Sequence, residues 1–185
     1  KEERGKEFYT NTYIKLHPMI TNRDGYILAG EAFIPQYHTE TYSNGKTTTT
    51  RRVFDGYEYT HTIFIKFDKE GKVIWDNILP MNPPYWPMKV VEFVTLGIKD
   101  DYLKVMYTSR DKMYSRTFDI DGSVKNKTES KWMEGNYDGD QIRRSNTSVH
   151  YWYEDYFIIT GYQRIKNKES DDVKRKRDVF FLSKI

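Results

Sequence analysis

Four histidines, His17, His38, His61 and His150, are the side chains best suited to move protons near neutral pH. They stand at unrelated points of the chain, and none forms the His-Glu-x-x-His spacing that surrounds a catalytic zinc. No Gly-x-Ser-x-Gly turn lifts a serine nucleophile, and no glycine-rich loop is built to cradle phosphate. Cysteine is absent, which removes thiolate nucleophiles, thiolate zinc sites and disulfides together. Two acidic turns, Asp68-Lys69-Glu70-Gly71 and Asp119-Ile120-Asp121-Gly122, resemble fragments of a calcium loop. Such a loop needs glycine at position six and a bidentate Glu at position twelve. Counted from Asp119, Gly122 falls at position four and Ser130 at twelve, so the turns read as hairpins with no metal. Paired carboxylates for glycoside hydrolysis meet in space and not in sequence, so that chemistry stays open. The sequence names no catalytic residue, metal ligand or cofactor, and the chain is read as non-enzymatic.

The elements that would position any site are strands. Tyr26 to Phe33, Thr62 to Phe67, Val90 to Leu96 and Asp155 to Tyr162 are short alternating runs rich in β-branched and aromatic residues, bounded by turn residues. No window carries apolar residues at helical spacing with caps at its ends. The chain is therefore expected to be all-β. Its 185 residues are enough for one domain with a real core. A net charge of +3 nominates neither nucleic acid nor an anionic membrane. No apolar run approaches the roughly 20 residues of a membrane-spanning helix. The start at Lys1, without Met or a signal peptide, reads as a processed piece of a longer product.

The strands repeat. Phe67-Asp68-x-x-Gly71-x-Val73 returns as Phe118-Asp119-x-x-Gly122-x-Val124, an offset of 51. An acidic residue leading into Tyr and an apolar strand recurs at Tyr26, Tyr102 and Tyr156, with offsets of 76 and 54. The C-terminal Asp178 to Ile185 resembles His61 to Phe67. These spacings predict blade-like units over about 13–80, 88–133 and 146–185 of one segment, 1–185. Expected strands are 13–20, 26–33, 62–67 and 72–79; then 90–98, 102–108, 112–118 and 123–132; then 148–153, 156–162 and 179–185. Four antiparallel strands at this period are the signature of a β-propeller blade. About three blades are too few to close a ring of the usual four to eight or so. Residues 1–12 could complete one blade, and another chain, or the rest of a longer one, could complete the ring.

Asp24-Gly25-Tyr26-Ile27-Leu28-Ala29-Gly30, followed by Phe64-Ile65-Lys66-Phe67-Asp68-x-x-Gly71-x-Val73-Ile74-Trp75, resembles the tandem propeller repeats of secreted and cell-envelope proteins of Bacteroidota-type bacteria. The second unit keeps the Asp–Gly turn but has Lys125 or Asn126 where the family pattern has Trp. The third keeps its Tyr strand with Thr160-Gly161 and stops before the turn. The resemblance implies a propeller fold and an exported protein, secreted, periplasmic or on the cell surface. It transfers no catalytic residue.

The first unit is longer than the others by about 25 residues, within Ile34 to Thr60. Asn44-Gly45 is a strong hairpin signal, so an arm of two long strands is expected, with Ser43 facing Lys46, Tyr42 facing Thr47, Glu40 facing Thr49 and His38 facing Arg51. Tyr37, Tyr42, Arg51 and Arg52 would give the arm contact area and hydrogen bonds for a protein partner. Tyr85 and Trp86 lie in a proline-rich connector, Met81 to Met88, that cannot join a ladder. They read as a plug between blades, or as an exposed aromatic platform; with the arm tyrosines they would suit a glycan. Trp75, in phase with Val73, reads as packing between blades. The basic run Lys174 to Arg177 follows acidic Glu169, Asp171 and Asp172, and so reads as a second ion-paired hairpin with no nucleic-acid partner. A binding or assembly module is expected; a glycan-binding or glycan-processing propeller and a purely structural ring segment are the alternatives.

Overall fold

The structure, a computed structural model, describes residues 12–81, 83, 85–99, 102–109, 112–132, 137–154, 156–169, 171 and 173–185. The described residues are all-β, and their strands form three antiparallel sheets in chain order. The first holds β1 (Tyr13–Leu16), β2 (Ile20–Asn22), β3 (Gly25–Ser43), β4 (Thr48–Phe67) and β5 (Val73–Pro80), with β1 and β2 sharing one edge of β3. The second is β6 (Thr95–Lys99), β7 (Tyr102–Ser109), β8 (Lys112–Phe118) and β9 (Val124–Trp132). The third is β10 (Gln141–Tyr153), β11 (Tyr156–Lys166) and β12 (Lys176–Lys184). Each sheet is a meander of neighbouring strands, which keeps connections short. Of residues 1–12, expected to complete one blade, 1–11 lie outside the described residues.

The sheets lie face to face with the second in the middle. Strand residues alternate between faces. Ile27, Ala29, Phe64 and Leu79 of the first sheet therefore point the same way and pack on Leu103, Val105, Tyr107 and Phe118 of the second. The other face of the second sheet presents Met106 and Met113 to Val149, Phe157, Ile159 and Phe181 of the third. Lys104 reaches over the Phe157 ring at 5.4 Å, and the Thr95 hydroxyl donates to the Val149 carbonyl at 2.7 Å.

The stack runs head to tail, which the turns make visible. The pairs that open β3, β7 and β11 against the strand before each are Asn22↔Gly25, Lys99↔Tyr102 and Tyr153↔Tyr156. By that measure Gly25, not Tyr26, occupies the place of Tyr102 and Tyr156, so the first Tyr offset read from sequence is one residue short. Gly25 is required there: its φ is +148°, and a Cβ would lie 2.0 Å from the Phe67 carbonyl oxygen. One residue changes the face of everything downstream. With the corrected register, Ile27, Lys104 and Ile158 are equivalent, and so are Tyr26, Leu103 and Phe157. Each interface then joins the Ile27-type face of one sheet to the Phe157-type face of the next.

A second correction concerns Trp75. It pairs with Lys66 while Val73 pairs with Phe67, a bulge having been inserted at Ile74, so Trp75 and Val73 face opposite ways. Trp75 points into the first interface, donates from Nε1 to the Ile120 carbonyl at 2.7 Å, and stacks on Phe118 at 6.3 Å. The packing role read from sequence stands, on the other face. Two acidic turns close the hairpins as expected: Asp68 accepts from the Glu70 and Lys72 amides, and Asp119 from that of Ile120.

Candidate functional site

Beyond Phe33 and Gly56, β3 and β4 leave the first sheet and continue as a two-stranded arm. Its tip differs from the expected two-residue turn. Ser43 pairs with Thr48, Tyr42 with Thr49, Glu40 with Arg51 and His38 with Val53, leaving a four-residue loop, Asn44 to Thr47. A type I′ turn needs positive φ at both central residues. Among the described non-glycine residues only Glu154 has positive φ, so Asn44 does not supply it. Its side chain instead accepts from the Lys46 amide at 3.0 Å, the Thr47 amide at 2.8 Å and the Thr47 hydroxyl at 3.1 Å. The slip is two residues, so the residues keep their faces.

Those faces separate the candidate binding residues into two pairs. On one, Arg52 lies over the Tyr37 ring at 3.9 Å, and Tyr37 packs on Phe54 at 5.4 Å. On the other, Arg51 lies over the Tyr42 ring at 5.2 Å, donates to Glu40 from Nε at 2.8 Å and to the Tyr42 hydroxyl from Nη2 at 3.0 Å, and its Nη2 stands 2.7 Å from Glu40 as an ion pair. The Tyr42 hydroxyl also donates to Glu40. Those two donors, with His38, hold the Glu40 carboxyl down at about 2. His38 Nδ1 lies 2.6 Å from Asp55, and its Nε2 lies 3.3 Å from Glu40; both carboxylates raise the imidazole above its ordinary range. The arm is thus preorganised by pairing that costs each long side chain its freedom before a partner arrives.

The root of the arm is anchored by aromatic rings and by the connector. Tyr13, Phe33, Tyr57, Phe54 and Tyr37 form a chain with centroids 5.0 to 5.8 Å apart. The connector crosses beside it, with the Tyr57 amide donating to the Pro87 carbonyl at 2.9 Å. Gly56, with φ +123°, lies so near the Trp86 backbone that a Cβ would meet its carbonyl oxygen at 2.6 Å. Tyr85 and Trp86 are themselves about half exposed, and the Tyr85 ring meets Phe93 edge-on with centroids 5.8 Å apart.

A cleft of about 650 Å³ opens on the other side of the connector. His17, Glu92, Thr95, Asn146, Ser148 and Tyr151 are among its walls. Behind it lies a pair the sequence motifs did not flag. Glu31 is fully buried and accepts from His17 Nε2 at 2.7 Å, from the Phe93 amide at 3.0 Å and from the Val94 amide at 3.0 Å. The Tyr59 hydroxyl donates to the Val91 carbonyl at 2.7 Å and accepts from its amide at 3.0 Å; burial pushes this phenol up to about 12. Both groups fasten residues 91–94, which lead from the connector into β6. The signal for Glu31 was available: in Ile27-x-Ala29-x-Glu31-x-Phe33 a carboxylate stands in the phase of the core.

The basic run belongs to a second extended hairpin, in which Arg164 and Asp178 pair at 2.8 and 3.1 Å across β11 and β12. Arg177 turns inward to Asp140 at 2.5 Å. Among the described residues no three His, Asp or Glu side chains gather as a metal site, and no helix is long and apolar enough to cross a membrane. No protein-family model, curated protein or solved structure matches the chain.

Proposed function

We propose that this chain is a non-enzymatic binding and assembly module of propeller type from an exported or cell-envelope bacterial protein. Its recognition element is the arm, with Tyr37, Tyr42, Arg51 and Arg52 on its two faces and Tyr85 and Trp86 at its root. The observation that carries the reading is a preformed two-stranded arm with a Tyr–Arg pair on each face and, among the described residues, no strand paired to either outer edge past the root. Tyrosine and arginine are enriched at interface hot spots, and a tyrosine ring buries much surface for little lost freedom. Unpaired strand edges add main-chain donors and acceptors for a partner's strand. The head-to-tail stacking supports the propeller part of the reading.

The test is capture by the immobilised chain from an envelope fraction, with bound proteins identified by mass. The variant Y37A/R52A should lose a defined protein, Y42A/R51A should lose the same one or a second, and circular dichroism should be unchanged. Equal capture by wild type and both variants would remove the arm from recognition. Quenching of tryptophan fluorescence by a saccharide, lost in Tyr85→Ala/Trp86→Ala, would move the assignment to the glycan alternative.

A further inference from the structure

The head-to-tail stack has two ends, and both are apolar sheet faces. On the first sheet the outward face carries Ile14, Leu16, Leu28, Ile63, Ile65 and Ile78, of which Ile14, Leu16 and Ile78 are more than half exposed. On the third it carries Ile158, Tyr162, Phe180 and Leu182, with Tyr162 65%, Phe180 58% and Leu182 62% exposed. Contiguous apolar surface of this kind marks a contact site. The two faces are also unlike in kind. The outward face of the first sheet is of the Phe157 type, and that of the third is of the Ile27 type. Every interface inside the chain joins one of each, so the two ends are complements of each other.

Resting on the propeller reading, we infer that a second copy of this chain covers both ends, the third sheet of each copy docking on the first sheet of the other. Two copies of three sheets give six, inside the usual ring of about four to eight. A head-to-tail contact that closes buries every end, whereas one that does not close grows filaments. The internal interface supplies the detail. Lys66 pairs with Ile27, and Lys184 with the equivalent Ile158. Lys66 is covered by the second sheet and lines a small cavity with Asn22 and Asp119. Asp68 is the first-sheet equivalent of Asp119, since each follows the Phe that starts its acidic turn. Closure therefore brings Lys184 beside Asp68 of the partner subunit, giving charge complementarity at the seam.

Analytical ultracentrifugation of the whole chain tests this, with Ile78→Asp and Leu182→Asp as probes; both sites are more than half exposed, so neither charge is introduced into a core. Wild type should sediment at twice the 22.2 kDa chain mass. Each variant alone should sediment as a single chain. A one-to-one mixture should recover dimer, because the intact first sheet of L182D can meet the intact third sheet of I78D. Wild type that stays at 22.2 kDa up to its solubility limit, a variant that still dimerises, or a mixture that stays single would each overturn the inference. The arm variants Y37A/R52A and Y42A/R51A should remain dimers; loss of dimer in these alone would place the contact on the arm and also overturn it. Failure here leaves the arm reading to its own capture test.

Discussion

The inward face of the first sheet and the outward face of the third are the same surface in two circumstances. Phe64 pairs with Ala29 as Leu182 pairs with Thr160, and Lys66 with Ile27 as Lys184 with Ile158. Phe64 is 0% exposed because the second sheet covers it, whereas Leu182 at the matching place is 62% exposed. Local sequence builds both faces from similar residues; the neighbour decides which becomes core. A blade-like unit cannot hide both of its faces, so its stability is a property of the stack.

Truncation should divide the two faces sharply. Phe64→Ala opens a cavity between sheets and should cost about 3–5 kcal/mol. Leu182→Ala should cost under about 0.5 kcal/mol in the single chain, as surface changes do. Urea denaturation at a concentration where the chain is monomeric reads both. Equal losses at the two positions would mean that the outward face is already covered, and the comparison would collapse.

A smaller effect is expected where the connector is fastened. Glu31→Ala strands His17 and the Phe93 and Val94 amides without their acceptor, and should cost about 3 kcal/mol, as when one partner of a buried pair is removed. Amide exchange at Phe93 and Val94 should speed up first. A variant with unchanged stability would show that the carboxylate is not what holds the connector over the covered face. Lys66 sharpens the point in another way. Burial lowers its pKa, the largest cause being desolvation. A lysine whose folded pKa lies below its unfolded one weighs against folding while charged, and that burden lifts as pH rises through the folded value. Wild type should therefore gain on Lys66→Met as pH climbs from neutral into the alkaline range.

The sequence made the strands legible because alternation and turn residues are local. Most strands fell close to their expected bounds, but the expected 13–20 is split into β1 and β2, β6 is shorter, and β10 and β11 run further; the length of the first unit marked the arm. Register was less legible. Gly25 and the bulge at Ile74 each shift a face by one residue, and both arise from backbone geometry that the alternation of side chains does not encode. The arm residues were found by type, but that they form two Tyr–Arg pairs on opposite faces follows from the strand period only once the register is known. The close approach of Gly56 to the Trp86 backbone was not legible, because it carries no side-chain signature. Glu31 and His17 were separable from ordinary charged residues only by the phase of Glu31. The propeller reading itself rests on how sheets stack, and a repeat period carries that only indirectly.

The smallest expected effect lies on the arm, whose stiffness contrasts with its lack of a core. His38 is raised because Asp55 first, and Glu40 second, hydrogen-bond its charged form. A raised histidine contributes while protonated, so the support is fully present below the ordinary histidine pKa and fades as pH rises through the folded one. Glu40 has the opposite sign: held at about 2, its pairing with Arg51 survives acid well below the ordinary carboxylate range. Asp55→Asn should therefore lower the His38 titration measured by NMR and loosen the root of the arm at mildly acidic pH, leaving the tip unaltered because Asn44 fastens it independently. If His38 titrates at the same pH in wild type and in D55N, the arm is not braced at its root by this pair, and its exposed rings are free to sample orientations before any partner meets them.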